Sequence, residues 1–441
     1  MSIQKLSSID PQIDEIIHQE EKRQKETITL IPSENYASTA VRAALGSALT
    51  NKYSEGYPKK RYYQGNKFID SAEILAIERA KKLFKVEHVN VQPYSGSPAN
   101  LAIYVALCKL GDTVLGHALP DGGHLTHGWK ASVTGQFYNG IQYHVDATGR
   151  IDIKEVKTLA KKHKPTLIFI GATAYSRTLP FEEFAEIANK NKSYLVADIS
   201  HIAGLIAGGA HPSPARYADI IMTTTHKTLR GPRGAIIMVT KRGLSKDPKL
   251  AEKIDKAVFP GLQGGPHDDQ TAAIAVALQE ASTEEFKSYA KQIVKNAKTL
   301  SKELTNYEFD IVSGGTDNHL MLVNLQNKKI NGALAAYALE RTNIIVNKNS
   351  VPNDTNPPFY PSGIRIGTPA ITTRGMNEAD MKKIAKWINE TIVACGEWGL
   401  PTTQEKRTVF FKAFKDDIDN NKELERISGE VKKFASKFRL P

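Results

Sequence analysis

From about residue 90 the chain alternates short apolar, β-branched runs with amphipathic stretches of helical period. That alternation restricts the fold more than any other feature. Strands are expected at Val89 to Gln92, Thr113 to Gly116, Thr166 to Ile170, Tyr194 to Ala197, Asp219 to Thr223 and Ala235 to Val239. Helices between them include Pro98 to Lys109, Ile153 to His163 and Phe181 to Asn189. The pattern implies a largely parallel sheet with helices on both faces. An amphipathic helix, about Ile13 to Glu26, precedes it, and a long helical stretch, about Asp269 to Leu304 with a break near Thr283, follows it. Short strands then appear at Phe309 to Val312, Leu320 to Asn324, Ile344 to Val346 and Ile364 to Ile366, with helices at Gly332 to Arg341 and Asn377 to Val393. This reads as a smaller α/β domain, and a chain of 441 residues is long enough for two. The expected partition is an N-terminal arm over 1–35, a large domain over 36–280 and a small C-terminal domain over 281–441.

Composition narrows the class of partner. Cys108 and Cys395 lie in apolar helical patterns without metal-ligand spacing, which argues against a disulfide framework or zinc site and fits a reducing cytoplasm. The opening MSIQKLSSIDPQIDEII lacks the charged-then-apolar pattern of a secretion signal, and no apolar run approaches the length of a membrane span. The net charge of +12 comes from scattered basic residues with no nucleic-acid-binding motif, so it reads as a solvated surface. Anionic small molecules remain candidate ligands.

Several chemistry-bearing residues fall where the pattern ends strands. The run Ile220 to Thr225 reads as a buried strand, followed by His226 and Lys227. Lysine is rarely buried unless paired. Lys227 either snorkels its ammonium to water or is a Schiff-base lysine, whose amine condenses with a carbonyl. Asp198 ends the Tyr194 to Ala197 strand and either caps the next turn or answers a cation. Ser95-Gly96-Ser97-Pro98 follows a strand and opens a helix, with Ser97 suited to the N-cap and Pro98 to the first turn. Its free N–H groups begin an ordinary helix or hold a phosphate. Ligands of open α/β sheets bind beyond the carboxyl ends of strands, where Asp198, Lys227 and Thr173 all fall. Together the helix start, the carboxylate and the lysine make a site for pyridoxal 5'-phosphate.

Other segments add to it. Gly122-Gly123-His124-Leu125-Thr126-His127-Gly128 follows a strand, and its histidine could stack on a pyridine ring, move protons or merely order the loop. No carboxylate or cysteine stands within this segment itself, which argues against a metal. Arg365, between isoleucines, is placed to bind a carboxylate or is an edge-strand arginine. The stretch 51–63 mixes aromatics, Glu55 and basic residues without periodicity and reads as a binding loop.

The motifs IPSENY, LTNKYSEGYPKKRYYQGN, NVQPYSGSPAN, DTVLGHALPDGGHLTHG, ADISHIAGLIAGG, TTTHKTLRGPRGA, VFPGLQGGP, SGGTDNHL and NKNSVPND with SGIRIGTPA span nearly the whole chain. In this order they resemble serine hydroxymethyltransferase. The resemblance implies a fold type I pyridoxal phosphate enzyme with a mostly parallel seven-stranded sheet and active sites shared across a homodimer. It also implies reversible conversion of serine and tetrahydrofolate to glycine and 5,10-methylenetetrahydrofolate, supplying glycine and one-carbon units. By position, Lys227 would hold the cofactor, Asp198 would pair with its ring nitrogen and His124 would stack on the ring. Ser95, Gly96 and Ser97 would bind phosphate, with Gly261 of the neighbouring subunit. Thr173 and His201 would face the phenolic oxygen, with Arg233 nearby and His226 adjoining the lysine. Arg365 would grip the substrate carboxylate, helped by Ser33. Tyr53, Glu55 and Tyr63 would complete the site, with Tyr53 and Glu55 arriving from the partner and Glu55 moving the proton of the serine hydroxyl. Folate would meet Leu119, Gly123, Leu125 and Asn349, near Pro357, Pro358 and Phe359. Thr173 stands where serine is common but keeps a hydroxyl, whereas Pro357 replaces a serine. Two other readings are a folate-independent aldolase for 3-hydroxy amino acids on the same fold and a non-catalytic nucleic-acid binder, the latter suggested only by the charge.

Overall fold

In the computed structural model, which describes residues 6–399, 401 and 404–441, the alternating region forms one seven-stranded sheet. Its spatial order is His88–Asn90, Ala235–Val239, Ile220–Thr224, Tyr194–Asp198, Leu167–Gly171, Thr113–His117 and Asn139–Tyr143. The last five are mutually parallel. Ala235–Val239 runs antiparallel to both its neighbours, so the sheet is mostly rather than wholly parallel. The edge strand Asn139–Tyr143 has no counterpart in the sequence reading. It is largely unburied, and its Asn-Gly-Ile-Gln-Tyr composition carries little of the apolar signal that marks a central strand.

Period two divides the strands between two cores. Leu115, Ile168, Ile170, Leu195, Ala197, Ile221, Ile236 and Met238 pack on one face against the helices Ile153–His163 and Phe181–Asn191. Val114, Leu167, Phe169, Val196, Ile220, Met222 and Ile237 face the other way, onto the helix Gly96–Leu107. Both faces are buried, as a parallel sheet requires. The strands after Thr113–His117 cross over: one neighbour follows on one side, the next on the other. Between Thr113–His117 and Leu167–Gly171 lies the resulting crevice, where such sheets bind ligands.

The long helical stretch is two helices, Asp268–Ala281 and Glu284–Asn306. The second restarts because the Thr283 hydroxyl accepts from the Phe286 N–H at 3.2 Å, ahead of the acidic first-turn pair Glu284 and Glu285. Beyond it stands a four-stranded antiparallel sheet ordered Asp310–Ile311, Leu320–Asn324, Gly363–Gly367, Asn347–Asn349. The strand expected at Ile344 to Val346 is present as Ile344–Ile345, but it pairs in parallel with Ile28–Thr29 outside this sheet, whose edge is Asn347–Asn349.

The N-terminal segment is therefore docked rather than free. Ile28 and Leu30 are fully buried in the second core. Arg374, 5% exposed, gathers the chain ends around one guanidinium. It donates to the carbonyls of Gln24 and Thr27 at 3.1 and 2.7 Å, of Lys25 at 2.9 Å and of Ala435 at 2.6 Å. These are carbonyls at the C-terminal ends of the helices Pro11–Glu26 and Lys422–Ala435, which would otherwise lack donors. Arg374→Ala should therefore lower stability by about 2 kcal/mol or more, given ~1–3 kcal/mol for each buried polar group left unpaired. Urea unfolding followed by circular dichroism checks this, and an unchanged midpoint would remove Arg374 from its anchoring role.

Candidate active site

At the crevice, one cavity is lined by Gly96, His124, Thr173, Asp198, His201 and Lys227, together with His127, Ser200 and Thr224. Six residues singled out in the sequence thus come together.

Asp198 is the last residue of its strand and is 7% exposed. Its Oδ2 accepts from Asn100 Nδ2 at 3.0 Å and from His127 Nε2 at 3.1 Å. Its Oδ1 accepts from the Ser200 N–H at 3.1 Å and the Ser200 hydroxyl at 2.6 Å. Burial acts to raise the carboxyl pKa, but the His127 and Ser200 hydrogen bonds and the neighbouring imidazoles hold it well below the usual carboxylate range. The residue therefore stays ionised. The absence of a carboxylate within the His124 segment does not survive folding, because His124, His127 and Asp198 offer ligand atoms within 4.8 Å of one another.

Lys227 follows the strand Ile220–Thr224 by three residues, and Asn35 Nδ2 donates to its carbonyl at 3.0 Å. Burial pushes its ammonium pKa down to about 8; Asp198 opposes the shift, and Arg365 and Arg233 add to it. Among the described residues it has no ion-pair partner. The snorkelling alternative accordingly gives way to a lysine held inside a cavity. His226 beside it is depressed to about 3 by burial and by Lys227 and Arg233.

The helix that faces the cavity begins two residues earlier than expected. Ser95, not Ser97, is its N-cap residue, and no side chain caps it. Its first amides are therefore left without a side-chain acceptor, and Ser97 falls inside the first turn. A Cβ on Gly96 would lie 2.7 Å from Thr224 Cγ2, so no other residue fits there. Thr224 Oγ1 is buried and has no hydrogen-bond partner among the described residues. Uncapped amides, an orphaned hydroxyl, an ionised aspartate and a lysine of lowered pKa line one cavity. That set fits pyridoxal phosphate, with the amides toward phosphate, Asp198 toward the ring nitrogen and Lys227 toward the aldehyde.

His124 Nδ1 accepts from the Thr126 N–H at 3.2 Å, and burial lowers its pKa to about 4, leaving a neutral ring at the cavity. Thr173, two residues past its strand, donates its hydroxyl to the Gly123 carbonyl at 2.8 Å. His201 Nδ1 stands 3.2 Å from His319 Nε2, both rings buried and neutral. Arg365, on the second sheet, donates through Nη1 to the Thr173 carbonyl and through Nε to Asn347 Oδ1 at 3.2 Å. Burial lowers its pKa to about 10, and among the described residues no carboxylate pairs with it. The Gly367 N–H donates to the Leu30 carbonyl at 2.7 Å, which brings the turn before Ser33 to the end of the Arg365 strand.

Other expected residues stand outside this cavity. Tyr53 and Tyr63, 54% and 45% exposed, pack ring to ring at 5.0 Å. The Tyr53 hydroxyl donates to Glu55 Oε1 at 3.3 Å, and both residues lie against Gly264 and Gly265 of their own chain. Gly261 sits in the irregular turn Ala257–Leu262, Leu119 in the short turn Leu119–Asp121, and Leu125 is exposed. Gly123 forms the tight return of that loop, its N–H donating to the Ala118 carbonyl at 2.9 Å. Asn349 ends the strand Asn347–Asn349, and Lys348 lies 4.0 Å over the Phe359 ring, bringing the Pro357-Pro358-Phe359 segment alongside. Arg233 is exposed.

Sequence reasoning overlooked Asn35, Asn100, His127, Ser200, Thr224 and Asn347. All six lay within quoted motifs, Ser200 as the hydroxyl of an Asp-x-Ser turn. Nothing in those motifs marked the group each side chain meets.

A family model described as serine hydroxymethyltransferase matches residues 6–388. The chain belongs to the serine hydroxymethyltransferase family. The serine hydroxymethyltransferase of Acidothermus cellulolyticus is 55% identical over 439 residues, 99% of this chain and 97% of that protein. That of Sorangium cellulosum is 54% identical over 386 residues, 87% of this chain and 90% of that protein. That of Desulfotalea psychrophila is 54% identical over 387 residues, 88% and 89% respectively. Serine hydroxymethyltransferases are pyridoxal phosphate enzymes with tetrahydrofolate as cosubstrate, and the cavity's residue set agrees.

Only a neutral amine attacks a carbonyl. Capture of added pyridoxal phosphate by the cofactor-free chain should therefore quicken as pH rises through about 8 and level off above it. Asp198→Asn should move that midpoint lower, since it removes the charge that favours the ammonium. Stopped-flow absorbance measures both; a rate still climbing past about 10, the ordinary lysine range, would show Lys227 to be solvated.

Proposed function

We infer that this chain transfers the hydroxymethyl carbon of serine to tetrahydrofolate, leaving glycine and 5,10-methylenetetrahydrofolate, and runs the reaction in reverse. The carrying observation is Arg365, a guanidinium of burial-lowered pKa with no carboxylate partner among the described residues, tied to the Thr173 carbonyl at the Lys227 cavity. A desolvated arginine in that position asks for an anionic substrate group. The serine carboxylate supplies it.

Bound in the cavity, pyridoxal phosphate supplies the electron sink for charge left on the α-carbon. Asp198, held ionised, keeps a proton on the ring nitrogen. Lys227 would hold the cofactor through its amine, and His124 would stack on the ring. Thr173 and His201 would serve its phenolic oxygen side, and the amides from Ser95 to Ser97 would hold the phosphate. Arg365 and Ser33 orient the carboxylate. Leu119, Gly123, Leu125, Asn349 and the Pro357 to Phe359 segment receive the folate; His226 adjoins the lysine and influences substrate choice, and Arg233 supports the site nearby.

Glu55 takes the proton of the serine hydroxyl, in the site of a second copy. Support for sharing comes from Tyr53, Glu55 and Tyr63, which cluster on an exposed loop of their own chain away from the Lys227 cavity. The working form is thus a homodimer, with Gly261 also serving the partner's phosphate. We assign residues 1–35 to an arm, 36–280 to the large domain and 281–441 to the small one, and place the enzyme in the cytoplasm. No helix among the described residues is long and apolar enough to cross a membrane.

Serine cleavage assayed with and without tetrahydrofolate decides between this reading and a folate-independent aldolase. A large folate stimulation is expected, and equal rates would favour the aldolase. Lys227→Ala should lose both the visible absorbance of bound cofactor and nearly all turnover. Glu55→Gln should keep the absorbance while folate-dependent cleavage falls by about 100-fold or more, in line with general acid–base catalysis. Full activity in that variant would strike Glu55 from the mechanism.

A further inference from the structure

On the outer side of Arg177 lies a second cavity of about 350 Å³, sharing no lining residue with the Lys227 site. Arg177, Lys298, Ser301, Lys302, Gly315 and Thr316 form its walls. Lys298 and Lys302 stand one turn apart on the helix Glu284–Asn306, and among the described residues neither has a carboxylate partner. Arg177 is largely buried, pairs with Asp317 at 3.0 Å and donates to the Ser313 hydroxyl and carbonyl, which leaves an N–H on each terminal nitrogen for a ligand and gives the wall an excess of positive charge. Ser301 is 4% exposed, yet its hydroxyl makes no hydrogen bond with any described residue.

These groups converge on one backbone position. A Cβ built on Gly315 would lie 3.4 Å from Arg177 Nη2 and 3.8 Å from Ser301 Oγ. Gly315 has φ 141°, and its N–H, at the end of a short turn, makes no capping bond. A guanidinium, an unused hydroxyl and an unused amide therefore meet between two lysines, with space beside them.

We propose that this cavity is a binding site for a small multivalent oxyanion, a phosphate ester or a polycarboxylate. Arginine and main-chain N–H groups hold oxyanion oxygens directionally, while lysines act as point charges. The volume falls in the range of small-molecule sites, roughly 300–1,000 Å³, so the ligand is larger than a bare ion. Arg177 also lines a small inner cavity with Asp198, His201 and His319, which places the bound anion one side chain from the active site.

The test uses the holoenzyme saturated with glycine, so that the cofactor cavity and Arg365 are already filled. Calorimetric titration with inorganic pyrophosphate, and separately with citrate, is run at ionic strength matched with sodium chloride. Saturable binding of one anion per chain is expected, and the tighter of the two probes tells phosphate from carboxylate chemistry. Lys298→Ala/Lys302→Ala should weaken it by about tenfold or more, equivalent to ~1.4 kcal/mol, with the cofactor absorbance unchanged. Ser301→Val should weaken it too, without altering surface charge. No saturable heat with either probe at millimolar concentration, or equal affinity in the double variant, would overturn the proposal.

Discussion

The active edge of this enzyme hangs on one buried carboxylate. Asp198 receives a helix (Asn100), a loop from the next-but-one strand (His127) and its own following turn (Ser200). The Ser200 hydroxyl in turn accepts from the Thr224 N–H at 3.0 Å, tying in the strand that leads to Lys227. A buried charge with fewer partners would neutralise itself or destabilise the fold. Here four donors keep it ionised, and those same four donors tie together the helix after Ser95, the His127 loop and the Ser200 turn at the cavity. Structure and electrostatics are one arrangement.

The second sheet enters this arrangement through the Arg365 guanidinium and through His319, which meets His201. Arg365 donates across to the Thr173 carbonyl, and Thr173 in turn holds the Gly123 loop. A substrate carboxylate drawn to Arg365 is therefore drawn to the seam between the two sheets. The requirement for a desolvated arginine and that for a closed cavity are met by the same packing.

Much of this was legible in the sequence. The alternation of apolar runs and helices gave the parallel sheet, because strands buried on both faces are apolar throughout. Strand-end positions gave Asp198 and Lys227, because side chains at carboxyl ends of such strands open onto the crevice. The edge strand Asn139–Tyr143 stayed hidden because an edge strand can be largely polar. Asn100 and Asn347 lay inside quoted motifs, but their contacts were illegible because an asparagine inside a helix or short strand carries no sign of the group it will meet. The helix starts from Ser95 rather than Ser97, a shift of two residues that capping preference alone did not resolve. The Ile344 strand was found, but not its partner, since pairing with Ile28 joins residues more than three hundred positions apart.

That pairing has a consequence for how the protein is made. Ile28–Thr29 emerges early from the ribosome, but its strand partner Ile344–Ile345 emerges late. Arg374 reaches the Thr27 carbonyl across 347 positions of chain. Ile28 and Leu30, apolar and destined for full burial, have no surface to cover them while the large sheet is assembling. Such long-range contacts form slowly, and apolar segments exposed in the meantime invite association with other chains. The nascent protein thus carries an uncovered apolar stretch while everything between Ile28 and Ile344 is being made. Its polar helical flank, Pro11–Glu26, travels with that stretch throughout the wait.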